Sequence, residues 1–479
     1  NLSIGDKSHF CYNLHSVNYL KEDNYMNNQN ITGKKDSEPL PWHLQGNWAP
    51  VKKELTESNL TIKGEIPRGL NGLYVRNGAN PRSGWSDHWF FGNGMLHGIK
   101  FEEGKVTYKN RYVKTPYYDK DLDVISSFGD LKASSANTHI IKHAGKLLAL
   151  EEAHLPWEVN EELETLGVFN YSGKLNGAMT AHPRICPETG ELLFFAYSLV
   201  TEPYLTYYRV SSEGELIQTE PIEIPRPVMM HDWNITRNHV IFMDLPIVSD
   251  MDLAITTGSP FGFKPECGAR LGVMPRKGTG TDIRWFEIDP CYVFHTFNAH
   301  EQENKIILHV SRQKEAMVGG LKDIYGGDST VARLWRWTID LDNGTVQEEQ
   351  LDDAPSDFPR IDDRKIGIKA EHGYCVQFDT STDSLTIGKY LYKYNLTTGS
   401  RQSHDLGNNV AGGEPVFIPQ EPYSSEDKGW IMSLVHEREE RKSKLVIIDS
   451  QNFESPPVAE IYLPQRVPYG AHGSWMPAN

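Results

Sequence analysis

Four histidines are the residues of this chain whose type and spacing most clearly allow chemistry: His182, His231, His295 and His472. Each occupies a corresponding position in a recurring strand–turn–strand pattern. If the recurring units surround a common axis, the four imidazoles converge on it and can bind one metal ion. Neutral imidazole is a good ligand for iron, zinc, copper and nickel. Four imidazoles around an octahedral Fe(II) would leave neighbouring positions open for small ligands, which favours oxygen chemistry over hydrolysis.

The recurring pattern consists of a polar turn and an apolar run after each histidine. His182 precedes a turn at 187–190 and a run at 192–197, and His295 precedes a similar pair, with its run at 306–310. The offset from histidine to run is about ten residues each time. With weaker copies further along the chain, about seven units result. Short strands repeated in this way predict an all-β fold, a seven-bladed β-propeller.

One propeller domain, preceded by an extension, accounts for the whole chain. Residues 1–45 are polar and show little periodicity, so we expect a partly irregular N-terminal extension. Residues 46–479 are predicted to form the single propeller domain. Segments 60–74 and 95–112 are rich in strand-forming residues and are expected to pair with the C-terminal strands, closing the ring.

Helical periodicity is scarce. The candidates at 157–166 and 331–337 are short, so we expect helices only as part of a helical or loop lid over the top face of the propeller. Five further histidines lack the recurring position and are not expected to bind metal: His97, His139, His143, His154 and His300. His300 begins an acidic turn and is predicted to be solvated.

Composition excludes several classes of function. The formal net charge is −16 and there is no basic stripe, so no nucleic-acid partner is expected. No apolar stretch is long enough for a transmembrane helix. The cysteines are odd in number, dispersed and never in a C-x-x-C pair, which indicates reduced thiols in a cytoplasmic compartment. They are Cys11, Cys186, Cys267, Cys291 and Cys375.

A set of short motifs, in a fixed order from about residue 47 to the end, resembles the carotenoid cleavage oxygenases. The motifs are Gly64-Glu-Ile-Pro-Arg-Gly-Leu-Asn-Gly-Leu-Tyr-Val-Arg-Asn-Gly, Phe91-Gly-Asn-Gly-Met, Ala136-Asn-Thr, Ala181-His-Pro-Arg-Ile, Met230-His-Asp, Phe294-His-Thr-Phe-Asn-Ala, Gly413-Glu-Pro-Val-Phe-Ile-Pro and His472-Gly-Ser-Trp. The resemblance implies a seven-bladed propeller with one non-haem Fe(II) per chain, bound by the four histidines. It also implies that O₂ cleaves a C=C bond of an apolar polyene, a carotenoid or apocarotenoid, into two carbonyl products.

Two alternatives stay open beside this interpretation. The first is a stilbene-cleaving dioxygenase of the same family. Members of that group resemble one another in a lysine that contacts a phenol, immediately before the glutamate that corresponds to Glu152. Glu151 stands at the position of that lysine here, which disfavours the alternative. The second is a propeller that serves as a binding scaffold or an isomerase-like relative, because fold alone does not specify function.

The resemblance also implies roles for residues around the metal. Three carboxylates would hold the outer nitrogens of the ligand histidines: Glu152, Asp357 and Glu414. Asp357 stands where the family usually has glutamate and is one methylene shorter, so either the backbone moves inward or a water bridges the gap. Thr138 resembles a threonine whose methyl group partly blocks an open iron position, which would limit water coordination and favour O₂.

The substrate tunnel is expected to be apolar. Aromatic residues close to the motifs are candidates for its walls: Phe91, Phe294, Phe297 and Trp475. A polyene resides in bilayers, so the tunnel mouth would need an apolar rim that makes peripheral membrane contact. The most apolar stretches between units, 199–208 and 251–263, form such a rim or pack as an ordinary lid. Because the net charge is −16, membrane attachment would come from apolar burial.

Overall fold

Antiparallel β-strands make up nearly all the regular structure of the residues that the structure describes. The structure, a computed structural model, describes residues 40–120, 122, 124–127, 129–249, 260–320, 327–380 and 386–478. The described strands all fall within one compact unit, Trp42–Asn479. Residues 1–39 of the expected N-terminal extension lie outside the described residues, so its irregular character stays a prediction.

The strands of the first half of the chain are β1 Thr56–Glu57, β2 Thr61–Gly64, β3 Gly72–Ala79, β4 Gly94–Glu102, β5 Lys105–Tyr112, β6 His139–His143, β7 Lys146–Leu150, β8 Trp157–Val159, β9 Thr165–Val168, β10 Arg184–Ile185, β11 Leu192–Tyr197, β12 Leu205–Val210, β13 Leu216–Ile222, β14 Asn234–Ile235, β15 His239–Asp244, β16 Ile247–Ser249 and β17 Phe261–Phe263.

The strands of the second half are β18 Ala269–Pro275, β19 Arg284–Ile288, β20 Tyr292–Gln302, β21 Lys305–Gln313, β22 Arg333–Asp340, β23 Thr345–Gln350, β24 Ser356–Arg360, β25 His372–Phe378, β26 Ile387–Asn395, β27 Arg401–Asp405, β28 Val410–Ala411, β29 Val416–Pro419, β30 Gly429–Glu437, β31 Lys442–Asp449, β32 Ala459–Tyr462 and β33 Gly473–Pro477.

These strands form seven antiparallel sheets and one separate two-stranded hairpin, β16–β17. Listed from the inner edge outwards, sheet 1 is β33-β3-β4-β5-β1, sheet 2 is β6 to β9, sheet 3 is β10 to β13 and sheet 4 is β14-β15-β18-β19. Sheet 5 is β20 to β23 and sheet 6 is β24 to β27. Sheet 7 is β28-β30-β31-β32-β2, with β29 also paired to β30. The molecule is the predicted seven-bladed β-propeller.

The ring is closed by sheets 1 and 7, each of which combines strands from the two ends of the propeller domain. The C-terminal strand β33 pairs with β3, with Trp475 opposite Tyr74, and β2 pairs with β32, with Gly64 opposite Ala459. The predicted pairing of segment 60–74 with C-terminal strands is therefore confirmed. Segment 95–112 forms β4 and β5 of the same sheet 1, but its partners are β3 and β1 rather than a C-terminal strand.

The core is divided among the interfaces between neighbouring sheets. Seven clusters of buried apolar side chains occur in the described part of the chain, and each fills one of the seven interfaces. Phe195 and Phe242, for example, meet between sheets 3 and 4, and Val75 and Ile140 belong to the cluster between sheets 1 and 2. Every sheet is thus packed on both faces, which is why second strands such as β11 and β15 are nearly continuous apolar runs.

Helices are few and short among the described residues. Those with α-geometry are α1 Pro116–Asp119 and α2 Val124–Ser127, and those with 3-10 geometry are Trp42–Leu44, Gly46–Trp48, Pro265–Cys267, Gly280–Asp282, Asp328–Thr330 and Asp363–Lys365. The two sequence candidates for helices were wrong. Segment 157–166 contains β8 and the start of β9, and segment 331–337 runs into β22, because pairing with neighbouring strands overrides a weak helical period.

Alternation of strand direction places one set of loops on a single face of the propeller. In every sheet the innermost strand begins on the same face where the second strand ends, so the loops from second to third strand lie there. We call this the loop face; its described loops are 80–93, 151–156, 198–204, 314–320 and 438–441, together with the hairpin β16–β17. The lid expected from the sequence corresponds to these loops and the two short α-helices. No helix in the described ranges is long and apolar enough to span a membrane.

Candidate metal centre

The four histidines meet at the start of four inner-edge strands. His182 and His231 shortly precede β10 and β14, His295 lies within β20, and His472 directly precedes β33. One ring nitrogen from each lies within 4.8 Å of those of the others. The Nε2 atoms of His182 and His231 are 3.0 Å apart, and those of His231 and His295 are 3.3 Å apart. Among the described residues this is the one such group of four potential ligands.

Burial favours the neutral form of two of the four imidazoles. It lowers the pKa of His182 and of His472 well below the ordinary value, and the neighbouring imidazoles lower both further. Burial also acts against protonation of His231, but the charge of Glu152 outweighs it and raises the pKa of that residue. Neutral imidazole is the form that donates to a metal, so the donor set fits a borderline divalent ion such as Fe(II).

Three carboxylates bind the outer nitrogens of three of these rings. His231 Nδ1 donates to Glu152 Oε2 at 2.7 Å, and His472 Nδ1 donates to Glu414 Oε1 at 2.7 Å. His295 Nδ1 donates to Asp357 Oδ1 at 3.0 Å. A proton held on Nδ1 leaves the lone pair of Nε2 directed at the centre of the cluster.

Each of the seven sheets contributes one of these seven groups. The histidines come from sheets 1, 3, 4 and 5, and the carboxylates come from sheets 2, 6 and 7. Glu152 directly follows the second strand of sheet 2, whereas Asp357 and Glu414 lie at the inner edges of sheets 6 and 7. The site is therefore a property of the closed ring, because no pair of neighbouring sheets contains it.

Asp357 reaches His295 directly, and a backbone distortion makes this contact geometrically accessible. The pairing of β24 with β25 shifts register between Asp357 and Arg360, and Phe358 between them adopts a positive φ of 55°. The sequence left open whether the backbone moves inward or a water bridges the gap. In the structure the contact is direct, and the backbone bulges beside Asp357. Asp357 Oδ1 also accepts from Phe358 N at 2.8 Å, while its buried Oδ2 has no hydrogen-bond partner in the described structure.

Thr138 lies beside His472. Its carbonyl oxygen accepts from His472 N at 3.0 Å, and its hydroxyl donates to Asn137 Oδ1 at 2.9 Å. The side chain is half-buried. This position is compatible with the role expected for its methyl group, and the role itself stays a prediction.

The four aromatic tunnel candidates separate into two groups. The Phe294 ring lies 5.5 Å from the His231 ring. Phe91 packs against the apolar cluster between sheets 4 and 5 that contains Phe294. Phe297 is fully buried between sheets 5 and 6, with its ring 6.3 Å from that of Tyr394. Trp475 packs 5.9 Å from Phe101 between sheets 1 and 7. Phe294 therefore lies beside an imidazole of the cluster and Phe91 packs on the apolar residues around Phe294, whereas Phe297 and Trp475 pack between other sheets.

Sequence reasoning missed several residues around the site. The Phe358 ring stacks on His295 at 5.1 Å, and Tyr197 donates its hydroxyl to Glu152 Oε1 at 2.9 Å. Arg360 donates to Glu414 Oε2 at 3.1 Å. Phe358 and Arg360 belong to the same Ser-Asp-Phe-Pro-Arg motif as Asp357, which was the available signal. Tyr197 had none, because it ends an ordinary apolar run.

Two of the histidines set aside on sequence grounds have informative positions. The His139 ring is 5.4 Å from that of His472, but its Nδ1 contacts Ala181 O at 2.8 Å and its Nε2 contacts Ser474 Oγ at 3.2 Å. Both of its nitrogens are engaged, so it is not a fifth ligand. His300 was predicted to be solvated, and this was wrong: it is buried, with its ring stacked 6.5 Å from His309.

A partly buried arginine ties together the segments that carry three of the histidines. Arg184 Nη2 donates to Asp232 Oδ1 at 2.6 Å, to Trp233 O at 3.0 Å and to Thr296 Oγ1 at 2.9 Å. These acceptors directly follow His231 and His295 in the chain. Trp233 Nε1 in turn donates to His182 O at 2.8 Å. The spacing of these histidines is therefore set by a polar network as well as by the sheets.

Comparison with known proteins identifies the family. Residues 48–477 match the model of the retinal pigment epithelial membrane protein family. The chain is 34% identical to carotenoid 9,10(9',10')-cleavage dioxygenase 1 of Arabidopsis thaliana, over 90% of this chain and 89% of that protein. It is 33% identical to isoeugenol monooxygenase of Pseudomonas nitroreducens, over 91% of this chain and 98% of that protein.

A solved structure has the same fold over almost the whole chain. The lignostilbene dioxygenase of Pseudomonas brassicacearum superposes with a TM-score of 0.82 at 30% sequence identity, covering 92% of this chain and 100% of that one. The matches extend over nearly the full length of the relatives. The chain therefore belongs to the carotenoid cleavage oxygenase family and is an oxidoreductase of the dioxygenase type.

Proposed function

We propose that His182, His231, His295 and His472 bind one Fe(II) ion per chain, and that the enzyme uses O₂ to cleave a C=C bond of a carotenoid or apocarotenoid. One O₂ is consumed for each alkene, the double bond breaks, and each carbon takes one oxygen atom, which gives two carbonyl products. The proposal depends above all on the convergence of four imidazole nitrogens within 4.8 Å. Bound iron supplies the redox chemistry that O₂ needs to react with an alkene.

The residues around the site would hold the imidazoles in place and exclude water. Glu152, Asp357 and Glu414 retain the Nδ1 protons of their histidines and orient the rings. The methyl group of Thr138 would limit access of water to the metal. Phe294 and Phe91 would form apolar walls that exclude water from the reacting carbons, because both lie in the cluster that borders His231.

A carboxylate beside the site supports a carotenoid over a phenolic substrate. Glu151 Oε2 accepts from His154 Nδ1 at 2.5 Å, and both side chains are largely buried. Glu151 directly precedes Glu152, at the position where the stilbene-cleaving members resemble one another in a lysine. A carboxylate at this position would not attract a phenolate. Cleavage of a stilbene or phenylpropenoid is the second candidate, because two of the relatives carry names of that kind.

We also propose peripheral membrane contact through the loop face, in a reducing compartment. Three exposed apolar side chains lie on loops of that face: Trp85, Val200 and Val318. Of the two stretches expected to form the rim, 199–208 is a loop only up to residue 204, because β12 begins at Leu205 and is largely buried. Residues 251–259 of the other stretch lie outside the described residues. None of the four described cysteines forms a disulfide with another described cysteine.

The decisive experiment compares substrate classes on one iron-loaded preparation. Iron content is measured first, and β-apocarotenals, resveratrol and isoeugenol are then incubated in parallel under ¹⁸O₂, with products identified by mass spectrometry. We expect one iron per chain and two labelled carbonyl products from an apocarotenal. Cleavage of resveratrol or isoeugenol alone would favour the second candidate. A protein with no metal and no product would favour the binding scaffold.

A matched pair of variants links the activity to the site. His231→Ala should lose iron and products while the propeller stays folded, because packing between sheets closes the ring. His300→Ala removes a buried histidine elsewhere and should retain both. Stoichiometric iron in folded His231→Ala would contradict the ligand assignment.

A further inference from the structure

Arg360 connects three sheets directly behind the candidate metal centre. It is the last residue of β24 in sheet 6, and its side chain is 14% exposed. Its Nη1 donates to Glu414 Oε2 of sheet 7 at 3.1 Å and to Gly473 O of sheet 1 at 2.6 Å. Gly473 directly follows His472, so one guanidinium nitrogen contacts both the carboxylate and the backbone that position this imidazole.

Arg360 is one of three donors whose hydrogen bonds together satisfy both carboxylate oxygens of Glu414. Its Oε1 accepts from His472 Nδ1 at 2.7 Å, and its Oε2 accepts from Gly473 N at 2.7 Å and from Arg360. A buried carboxylate without a cationic donor is costly and tends to rotate towards other partners. Loss of Arg360 would therefore loosen the carboxylate that orients His472, although Arg360 itself does not touch the ring.

The same strand also supports a second imidazole. Asp357, three residues before Arg360 in β24, binds His295 Nδ1, and the register shift of β24 lies between these two residues. One short bulged segment thus carries the support of His295 directly and that of His472 through Glu414. A change in this segment would be felt on both sides of the cluster.

We infer that Arg360 is a positioning residue that fixes Glu414, and through it His472, and so strengthens metal binding. The inference rests on the proposed metal site. Outer groups that orient a metal ligand typically change metal affinity or activity by 10–100-fold when removed. Because Arg360 acts through Glu414, we expect the lower part of that range, about tenfold.

Arg364 offers a control that separates positioning from fold stability. It lies four residues further on, and it pairs with the buried Asp362 at 2.5 Å. It also donates to the carbonyl oxygens of Pro422 at 3.0 Å and Ser424 at 2.9 Å. Its network is at least as extensive as that of Arg360, but none of its recorded partners is a residue of the metal centre.

The test uses the full chain as Arg360→Met, Arg360→Lys and Arg364→Met. Affinity for Fe(II) and Co(II) is measured by competition with a chelator, and the visible absorption bands of the Co(II)-loaded protein report ligand geometry. Arg360→Met should bind metal about tenfold more weakly and shift the cobalt bands. Arg360→Lys should recover most of both, because one ammonium can donate to the two acceptors. Arg364→Met should lower the melting temperature and leave affinity and bands unchanged.

A double-mutant cycle with Glu414→Gln tests the route of the effect. If Arg360 acts through Glu414, the two substitutions together should weaken binding less than the product of their separate effects. Unchanged affinity and cobalt bands in Arg360→Met, or equal changes in Arg364→Met, would overturn the inference alone. If Arg360→Met does not fold, Arg360→Gln gives the same comparison with a shorter neutral side chain. Lack of metal binding by the unmodified protein would overturn the proposed function and the inference together.

Discussion

The three carboxylates that support the histidines differ in what their second oxygen contacts. The Glu414 oxygen that does not contact His472 accepts from two groups that can only donate, Gly473 N and the Arg360 guanidinium. That of Glu152 meets the Tyr197 hydroxyl, which can reverse its hydrogen bond. Asp357 Oδ2 has no partner in the described structure. These differences decide how each position should respond when the acid becomes an amide.

We predict a graded series for the three isosteric amides. In Glu414→Gln the new NH₂ group either faces the donors Gly473 N and Arg360 or replaces the oxygen that accepts from His472. Metal affinity should therefore fall by 10–100-fold. Glu152→Gln should be milder, because the Tyr197 hydroxyl can accept from the amide. Asp357→Asn should be mildest, because its NH₂ group can occupy the unpartnered position. Chelator competition at constant pH measures all three.

Melting temperatures of the metal-free variants serve as the control for this series. If they fall in the same order as the affinities, the gradient reflects fold stability rather than ligand orientation. An Asp357→Asn variant weaker than Glu414→Gln would contradict the order. Asp357→Ala, which removes the acceptor for His295 altogether, should lose affinity to an extent similar to Glu414→Gln.

At this scale the sequence predicts residues whose motifs are local and misses those whose partners come from elsewhere. The histidines and their three carboxylates each carry a short motif. The direct contact of Asp357 depends on a register shift that no motif specifies. Tyr197 and Glu152 are 45 positions apart, and Arg360 and Gly473 are 113 apart, so their contacts exist only in the closed ring. Sequence also gives no information on which interface each aromatic residue faces, and in the structure Phe297 and Trp475 differ from Phe294 in that respect.

At the scale of elements, a single carboxylate fastens sheet 5 to sheet 4. Glu301 in β20 accepts from Thr236 Oγ1 at 2.5 Å, Asn238 Nδ2 at 2.6 Å and His239 Nδ1 at 2.8 Å. All three donors belong to the β14–β15 turn. Burial opposes the charge, but these hydrogen bonds outweigh it and lower the pKa of Glu301 to about 2.

The pH dependence of this clip follows from the direction of the shift. The folded pKa is below the ordinary value of 4.5, so the stabilisation is fully present above about pH 5 and is lost as pH falls from 4.5 towards 2. Glu301→Gln should lower the free energy of unfolding by about 2 kcal/mol at pH 7, the range of a hydrogen bond to a charged group. The difference from the unmodified protein should shrink below pH 5.

Urea denaturation at several pH values between about 2.5 and 7 measures this difference. Glu303→Gln, on the exposed turn after β20, is the matched control and should change little at any pH. A difference for Glu301→Gln that stays constant or grows as pH falls would contradict the assigned direction. Sequence patterns alone did not mark Glu301, because an acidic residue beside a turn is most often a solvated one.

Strands were predicted correctly where the apolar run is long and its strand is paired on both sides. The prediction of element type was wrong where the run is short. The candidate helix at 331–337 contains Leu334 and Trp337, three positions apart, which is compatible with a helical period. In the structure these residues lie in β22 between β21 and β23 and are fully buried. Pairing on both edges decides the conformation, and that information is absent from a window of seven residues.

At the scale of the whole molecule, stability depends on closing the ring at both ends. Gly64 ends β2 opposite Ala459 and has a φ of +83°, and a Cβ there would lie 2.2 Å from Val458 O. Gly69 has a similar φ of +85°, but a Cβ there would meet nothing within 4 Å. The two glycines therefore share the backbone strain of an alanine substitution and differ only in the clash with β32.

We predict that Gly64→Ala lowers the stability of the entire propeller and not of one sheet. Gly69→Ala should reduce the free energy of unfolding by about 1–2 kcal/mol, the strain of a left-handed alanine. Gly64→Ala should cost clearly more, because the pairing of β2 with β32 must shift. Since every sheet packs between two others, both variants should unfold in one transition by tryptophan fluorescence and by circular dichroism. Equal midpoints for the two variants would show that closure through β2 contributes little.

The exposed apolar side chains of the loop face make a prediction about the surface of the whole molecule. Val200 and Val318 are 54% and 53% exposed on loops of that face, whereas the similarly exposed Leu166 and Ile217 lie on the outermost strands of sheets 2 and 3. A net charge of −16 gives no electrostatic attraction to anionic lipid, so attachment to a bilayer must come from apolar burial.

Liposome flotation of the unmodified protein should then be insensitive to salt and sensitive to detergent. The double substitution Val200→Glu with Val318→Glu should abolish flotation, while Leu166→Glu with Ile217→Glu, which changes the net charge equally, should leave it intact. Equal loss in both double variants, or binding that salt removes, would assign the attachment to charge rather than to the loop face, and no flotation at all would favour a substrate taken from water.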